Sequence, residues 1–205
     1  MSKTHRDEVP GRPGMWMHTH SGRQFFPLDP RPEDFTIEDL ANGLASTVRY
    51  AGQGRIDRWY SVAEHCVHIA NWLVGQGYPP QVGLVGLLHD AAEGLMHDLT
   101  RANKGAVGPA YKLLEKHFQT VIWLKYRLYS WSLAYEGLID EVDSRIVPVE
   151  KAAITNHPGQ EWASDALVPL DGITIRCWRP ERAKDCWLGL YGWLCRDAGM
   201  EPNYD

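Results

Sequence analysis

The sequence predicts an all-α protein built as one helical bundle, with a small N-terminal hairpin and an irregular C-terminal segment. Three observations carry this prediction. Apolar residues recur at helical spacing in six segments, roughly 37–50, 62–75, 80–88, 111–135, 138–154 and 180–198. Helix-opening signals stand before them, notably near Thr36, at Ser61 and at Pro79-Pro80. Only two short stretches, 15–28 and 172–176, read as β-like.

Taken in order, residues 1–14 (MSKTHRDEVPGRPG) are charged and broken by Pro and Gly, and read as a flexible tail. Met15 to Leu28 alternates loosely around Ser21-Gly22, the pattern of a hairpin. Asp29-Pro30-Arg31-Pro32 is a rigid turn. Ile37, Leu40, Leu44 and Val48 then carry a helix to about Tyr50, and a Gly-rich loop follows over 51–55. Ser61 with Glu64 three residues on has the capping-box pattern, opening a helix that ends near Gly75. After Pro79-Pro80, the run from Val82 to Leu88 is nearly all apolar, as in a buried central helix, and it leads straight into His89-Asp90. Tyr111 to Tyr135 reads as one long aromatic-rich helix. Leu138 to Ile154 reads as another, kinked or restarted at Pro148. Residues 156–180 carry turn signals and the β-like run Gly172 to Arg176, before a last helix over 180–198.

Composition narrows the function. At 205 residues the chain is long enough for one sizeable core and shows no break demanding a second domain, so 1–205 is read as a single domain. A formal net charge of -5 argues against a general binder of nucleic-acid polymer, yet leaves room for a local Arg/Lys pocket holding one phosphorylated molecule. Cys66, Cys177, Cys186 and Cys195 have no CxxC spacing, which points to reduced thiols and a cytoplasmic setting rather than to a disulfide framework. No signal-peptide core or membrane-spanning run is present in the sequence, so no membrane partner is expected. The ring-rich last helix (Trp187, Tyr191, Trp193) fits a homo-oligomer interface and core packing equally well.

The chemistry concentrates in Glu64-His65, His89-Asp90 and Asp143. A His-Asp doublet alone means little: with 9 His and 14 Asp, about 0.6 doublets are expected by chance, and two occur, at 89–90 and 97–98. A hydrogen-bonded structural role is the alternative for either doublet taken alone. Context favours the first. It ends a buried apolar helix, where an ionisable pair needs compensation, and Glu93 falls on the same helical face. His65 from the preceding helix and Asp143 from a later one complete two imidazoles and two carboxylates, a set that suits a divalent metal (Co, Mn, Ni, Zn, Fe or Mg) with positions left for water or a phosphate oxygen. Glu93 is then the carboxylate able to orient water or move its proton. His97-Asp98 is either a helix-terminal pair or a source of a second acid for the site.

At these residues the chain resembles the HD-domain phosphohydrolases, whose pattern is H…HD…D on helices. Within that superfamily it more closely resembles the small group of YfbR-type 5'-deoxynucleotidases and phage dATP triphosphohydrolases. The resembling block runs from about 16 to 153. It is most specific at SVAEH (61–65), LLHDAAEGLMHDLTRANK (87–104) and EVDSRIVPVEK (141–151), and SGRQFFPLDPRPEDFTIEDLA (21–41) is similar to the opening of many phage members.

The resemblance implies His65, His89, Asp90 and Asp143 as metal ligands, with Glu93 and Asp98 as catalytic carboxylates. It also implies Arg49 and Lys104 as phosphate contacts, Arg101 as a weaker one, and Tyr50 as an aromatic against sugar or base. Arg49, Lys104 and Arg101 as ordinary solvated charges are the alternative. The implied function is hydrolysis of deoxynucleoside 5'-phosphates, either dATP or another dNTP, or alternatively a dNMP. A non-catalytic nucleotide-binding regulator is the further alternative. Three positions depart from the family pattern: His97 where Gly is common, Pro148 inside the Asp143 helix, and Tyr50 where some members have Trp.

Overall fold

Each helix starts where local chemistry lets it start, and the order of starts builds the bundle. The computed structural model describes residues 9–156 and 159–205 and is all-α, with a two-stranded hairpin as its only sheet among those residues. In the hairpin, β1 (Met17–His18) pairs antiparallel with β2 (Gln24–Phe25), Met17 opposite Phe25, around a turn closed by a Gly22 N–H to Thr19 carbonyl bond of 3.0 Å. Of the tail expected over 1–14, residues 1–8 lie outside the described residues. Within the remainder, Arg12 is docked on the body: its guanidinium lies 2.6 Å from Asp34 and 4.0 Å from the centre of the Phe26 ring.

Helix α1 (Ile37–Ser46) is capped by Thr36, whose hydroxyl accepts from the Asp39 N–H at 3.0 Å. Asp39 answers by accepting from the N–H groups of Thr36 (2.8 Å) and Ser21 (2.6 Å), which ties the hairpin turn to the helix start. Burial works against this carboxylate's charge, but those hydrogen bonds outweigh it and hold its pKa below the usual 3.8. Its stabilising contribution is therefore complete above the unfolded value and is lost as pH falls through the lower folded one. Asp39→Asn is expected to cost about 1–2 kcal/mol at neutral pH. In urea melts the gap from wild type should narrow once pH drops below about 4, the unfolded carboxylate value.

The sequence pattern carries α1 to Tyr50, but the helix stops at Ser46. Thr47 is extended, Val48 forms an antiparallel bridge with Ser61, and Tyr50 and Ala51 take left-handed backbone angles (φ 57° and 52°). That bridge, with Arg49 N–H donating to the Tyr60 carbonyl at 2.9 Å, sets Arg49 and Tyr50 beside the start of the next helix.

Helix α2 (Val62–Gly75) begins at Ser61, whose hydroxyl accepts from the Glu64 N–H at 3.2 Å. The Glu64 side chain does not close the expected capping box. It turns instead to the segment before the last helix and accepts the N–H groups of Arg176 (2.6 Å), Cys177 (3.0 Å) and Trp178 (2.7 Å). The predicted β-like run at 172–176 is not a strand: nothing pairs with it among the described residues, and the N–H of its last residue, like the next two, is spent on one buried carboxylate.

Helix α3 (Pro80–Leu88) is buried at every position from Val82 to Leu88, as its apolar run predicts. A short α4 (Glu93–Met96) and α5 (Arg101–Val107) follow. The expected 111–135 helix is two: α6 (Pro109–Lys125) ends in a turn with Arg127 at φ 58°, and α7 runs unbroken from Tyr129 to Ile154, through Pro148. Proline there removes one i→i−4 bond without ending the helix. Helix α8 (Pro180–Asp197) packs against α1, α2 and α3, with Trp187 and Tyr191 buried in the core and Trp193 45% exposed. Core packing thus accounts for the first two rings.

Helices α1 and α4 touch backbone to backbone. A Cβ on Gly43 would lie 1.9 Å from the Gly94 carbonyl oxygen, and one on Gly94 would lie 2.8 Å from the Leu40 carbonyl oxygen. This contact fixes Glu93, the residue beside Gly94. No helix among the described residues is long and apolar enough to cross a membrane, and the four cysteines are free thiols.

Candidate metal centre

Four helical elements converge on one point. α2 supplies His65, the end of α3 supplies His89 and Asp90, α4 supplies Glu93, and α7 supplies Asp143. His65 Nε2 lies 3.3 Å from His89 Nε2 and 3.1 Å from Asp143 Oδ1, while His89 Nε2 lies 3.3 Å from Asp90 Oδ2. The ligand atoms of His65, His89 and Asp143 all fall within 4.8 Å of one another.

The far side of each imidazole is already committed. His65 Nδ1 is 2.6 Å from Glu150 Oε1, and His89 Nδ1 is 2.8 Å from the Gly86 carbonyl. Both of those partners accept hydrogen bonds, so the Nδ1 atoms donate and the two Nε2 lone pairs face each other across the cluster. Two lone pairs and two carboxylates pointed at one spot require positive charge between them. Asp143 Oδ1, buried with no hydrogen-bond donor, underlines the same demand. Burial resists charge on His65 and His89, yet the surrounding carboxylates hold both pKa values above 6.5. The cluster can hold a metal ion.

The other expected residues surround this point. Arg49, partly buried, reaches Asp90 (3.5 Å), Asp143 (4.0 Å) and Glu150 (3.3 Å), so it is tied into the cluster rather than being an ordinary solvated charge. The Tyr50 hydroxyl donates to Glu150, and its ring stands 5.7 Å from that of Trp162. Glu93 is buried; its Oε1 accepts from Lys104 Nζ at 3.0 Å, and its Oε2 has no partner. Burial, then Asp90 and Asp98, pushes the Glu93 pKa well above 4.5 despite Lys104, so the side chain is poised to hold a proton. Lys104 also donates to Glu115 at 2.6 Å.

Two cavities meet at Asp90, Glu93, Lys104 and Asp143. The larger, about 630 Å³, is bordered by Arg49, Tyr50, Trp162 and Asp98, with Arg101 exposed at its rim. The smaller, about 470 Å³, is lined further by Lys112, Lys116, Trp123, Glu115, Glu136 and Asp140.

His97 carries the turn before Asp98 in a conformation (φ 66°, ψ 156°) that glycine adopts far more readily. A histidine at this position loads the turn with strain, offset in part by a 3.3 Å contact between His97 Nδ1 and the Thr47 hydroxyl. His97→Gly should therefore raise stability by about 1 kcal/mol, visible as a higher denaturation midpoint.

Glu64, adjacent to His65, is absent from the cluster, and His68 bonds Glu64 at 3.3 Å rather than the site. Three residues of the site stand outside the sequence pattern. Glu150 had a legible signal, seven residues after Asp143 and hence on the same face of α7. Tyr60 and Trp162 had none, because long-range folding alone brings them in.

No family model matches the chain. It is similar to an uncharacterized protein of Rhodobacter capsulatus, 36% identical over 115 residues, which are 55% of this chain and 59% of that protein. It is also similar to the uncharacterized protein YfdR of Escherichia coli, 33% identical over 113 residues, again 55% of this chain and 59% of the relative. The chain thus spans 59% of the length of the curated relatives it matches.

Proposed function

We propose that the protein is a metal-dependent phosphohydrolase of the HD type acting on deoxynucleoside 5'-phosphates, with dATP or another dNTP as substrate. The observation that carries this reading is the convergence of His65 and His89 through Nε2, at 3.3 Å, with both Nδ1 atoms held from behind. His65, His89, Asp90 and Asp143 would hold a divalent ion of the Co, Mn, Ni, Zn, Fe or Mg group, which would supply Lewis acidity toward a phosphoryl oxygen and water.

The remaining work falls to the chain's own side chains. Arg49, partly buried beside Asp90 and Asp143, neutralises phosphate charge next to the ligands. Glu93 exchanges a proton with water or leaving group through its unpartnered Oε2. Lys104 holds Glu93 in that pose, and Asp98 raises its proton affinity. Tyr50 and Trp162 offer ring faces to sugar and base in the larger cavity. Packing at C2' of the ribose disfavours a 2'-hydroxyl. The smaller cavity, lined by Lys112 and Lys116 together with Glu115, Glu136 and Asp140, leaves room beside the ligands for a longer phosphate chain, which supports the triphosphate over the monophosphate.

The test is chelator-stripped protein reloaded with Mn²⁺ or Co²⁺ and offered dATP and dAMP separately. Water adds across the ester bond of dATP, giving deoxyadenosine and tripolyphosphate. Orthophosphate from dAMP with dATP untouched would replace this substrate by the monophosphate. A nucleotide-dependent rise in melting temperature without turnover would leave a binding regulator.

A further inference from the structure

We propose that Glu150 is a positioning residue of this site, setting the tautomer of His65 and holding Arg49 and Tyr50 with the same carboxylate. The proposal rests on reading His65 as a metal ligand. Glu150 has no solvent exposure. Its Oε1 accepts from His65 Nδ1 at 2.6 Å and from the Tyr60 hydroxyl at 2.8 Å, and its Oε2 accepts from Arg49 Nη2 at 3.3 Å and from the Tyr50 hydroxyl. An ionised carboxylate only accepts, so every one of these neighbours donates, and the His65 proton stays on Nδ1. Nε2 then keeps its lone pair toward the cluster.

The two histidines differ in how this is secured. His89 is oriented by a backbone carbonyl, that of Gly86, whereas His65 depends on a side chain. The same carboxylate joins three parts of the chain: the Val48–Ser61 bridge through Arg49, Tyr50 and Tyr60, helix α2 through His65, and α7, where Asp143 stands two turns earlier. One group thus orients a ligand and the cationic arm beside it.

Glutamine at this position has the right shape and the wrong polarity. Its NH₂ group enters a shell of donors and finds acceptors only in a tyrosine oxygen or in His65 Nδ1. Donation to Nδ1 moves the imidazole proton to Nε2, where a ligand needs its lone pair. Glu150→Gln is therefore expected to shift His65 to the Nε2–H form in long-range ¹H–¹⁵N spectra of the metal-free protein, recorded at alkaline pH. Affinity for Mn²⁺ should fall roughly 10–100-fold, the usual effect of removing a partner of a liganding histidine.

Tyr60→Phe removes one donor and leaves the charge, so it should keep the Nδ1–H form and lose roughly threefold or less in affinity. Should Glu150→Gln fail to fold, Glu150→Asp withdraws the carboxylate from Nδ1 without removing its charge and is expected to weaken Mn²⁺ binding about tenfold. A folded Glu150→Gln protein, or failing that Glu150→Asp, with the Nδ1–H tautomer and wild-type Mn²⁺ affinity overturns the proposal. Wild-type protein that binds no Mn²⁺ overturns the metal reading instead, and the tautomer spectra still decide the role of Glu150.

Discussion

Asp90→Ala is expected to abolish metal retention and to lower phosphohydrolysis by at least about 10³-fold, the largest effect of any single substitution in the chain. Asp90 stands 3.3 Å from His89 Nε2 and 3.7 Å from His65 Nε2, and it also faces Arg49 at 3.5 Å. Removing it deletes an anionic member of the candidate ligand set and the nearest counter-charge of His89. Its own pKa is held far below 3.8: burial opposes this, but His89, His65 and Arg49 outweigh burial. The carboxylate is thus charged at neutral pH. Elemental analysis after dialysis, paired with turnover of dATP, checks the outcome. Because Asp90 follows the end of α3 instead of filling the core, the fold should survive, and an unchanged far-ultraviolet circular dichroism spectrum would separate site loss from unfolding.

Gly43→Ala is expected to destabilise the protein by about 3 kcal/mol, since its methyl group meets backbone. Alanine in a helix is favoured over glycine by about 1 kcal/mol, so propensity alone predicts the opposite sign. Contact decides. The new Cβ would lie 1.9 Å from the Gly94 carbonyl oxygen and 2.6 Å from its carbonyl carbon, and neither can swing away as a flexible side chain would. Helices α1 and α4 must separate, carrying Glu93 with them, so activity should fall along with stability. For a chain of this size the loss corresponds to a melting temperature roughly 6–12 °C lower. Gly189→Ala, in α8 with open space at its Cβ, is the control and should gain about 0.5–1 kcal/mol.

Most of the helical framework was legible because burial imposes a period. Val82 to Leu88 reads as a central helix and is one, and the Ser61 cap and the Pro180 start lie where the sequence puts them. The misreadings share a cause: a local pattern was overruled by a distant partner. Val48 continues the α1 stripe in sequence but pairs with Ser61, so the helix ends at Ser46. Glu64 matches a capping box but is claimed by three N–H groups more than a hundred residues away. Tyr126 to Leu128 looks helical by composition, and only the left-handed angle at Arg127 breaks it into two helices.

The site divides in the same way. His65 and Asp143 lie on helices whose phase the apolar residues reveal, whereas His89 and Asp90 sit in the turn after α3 and Glu93 opens α4, so the single helical face expected for those three is broken by that turn. Glu150 was within reach of the same reasoning, two turns beyond Asp143. Trp162 was not, because it enters from irregular chain whose path no periodicity records.

The central claim is that His65, His89, Asp90 and Asp143 bind a divalent ion on which hydrolysis depends. The most direct measurement is dATP turnover by chelator-stripped protein titrated with Mn²⁺, with bound metal counted at each point. Turnover should be absent without metal, rise in proportion to occupancy, and level off once the site is full. Full turnover in the presence of chelator, or a filled site with no hydrolysis, would contradict it.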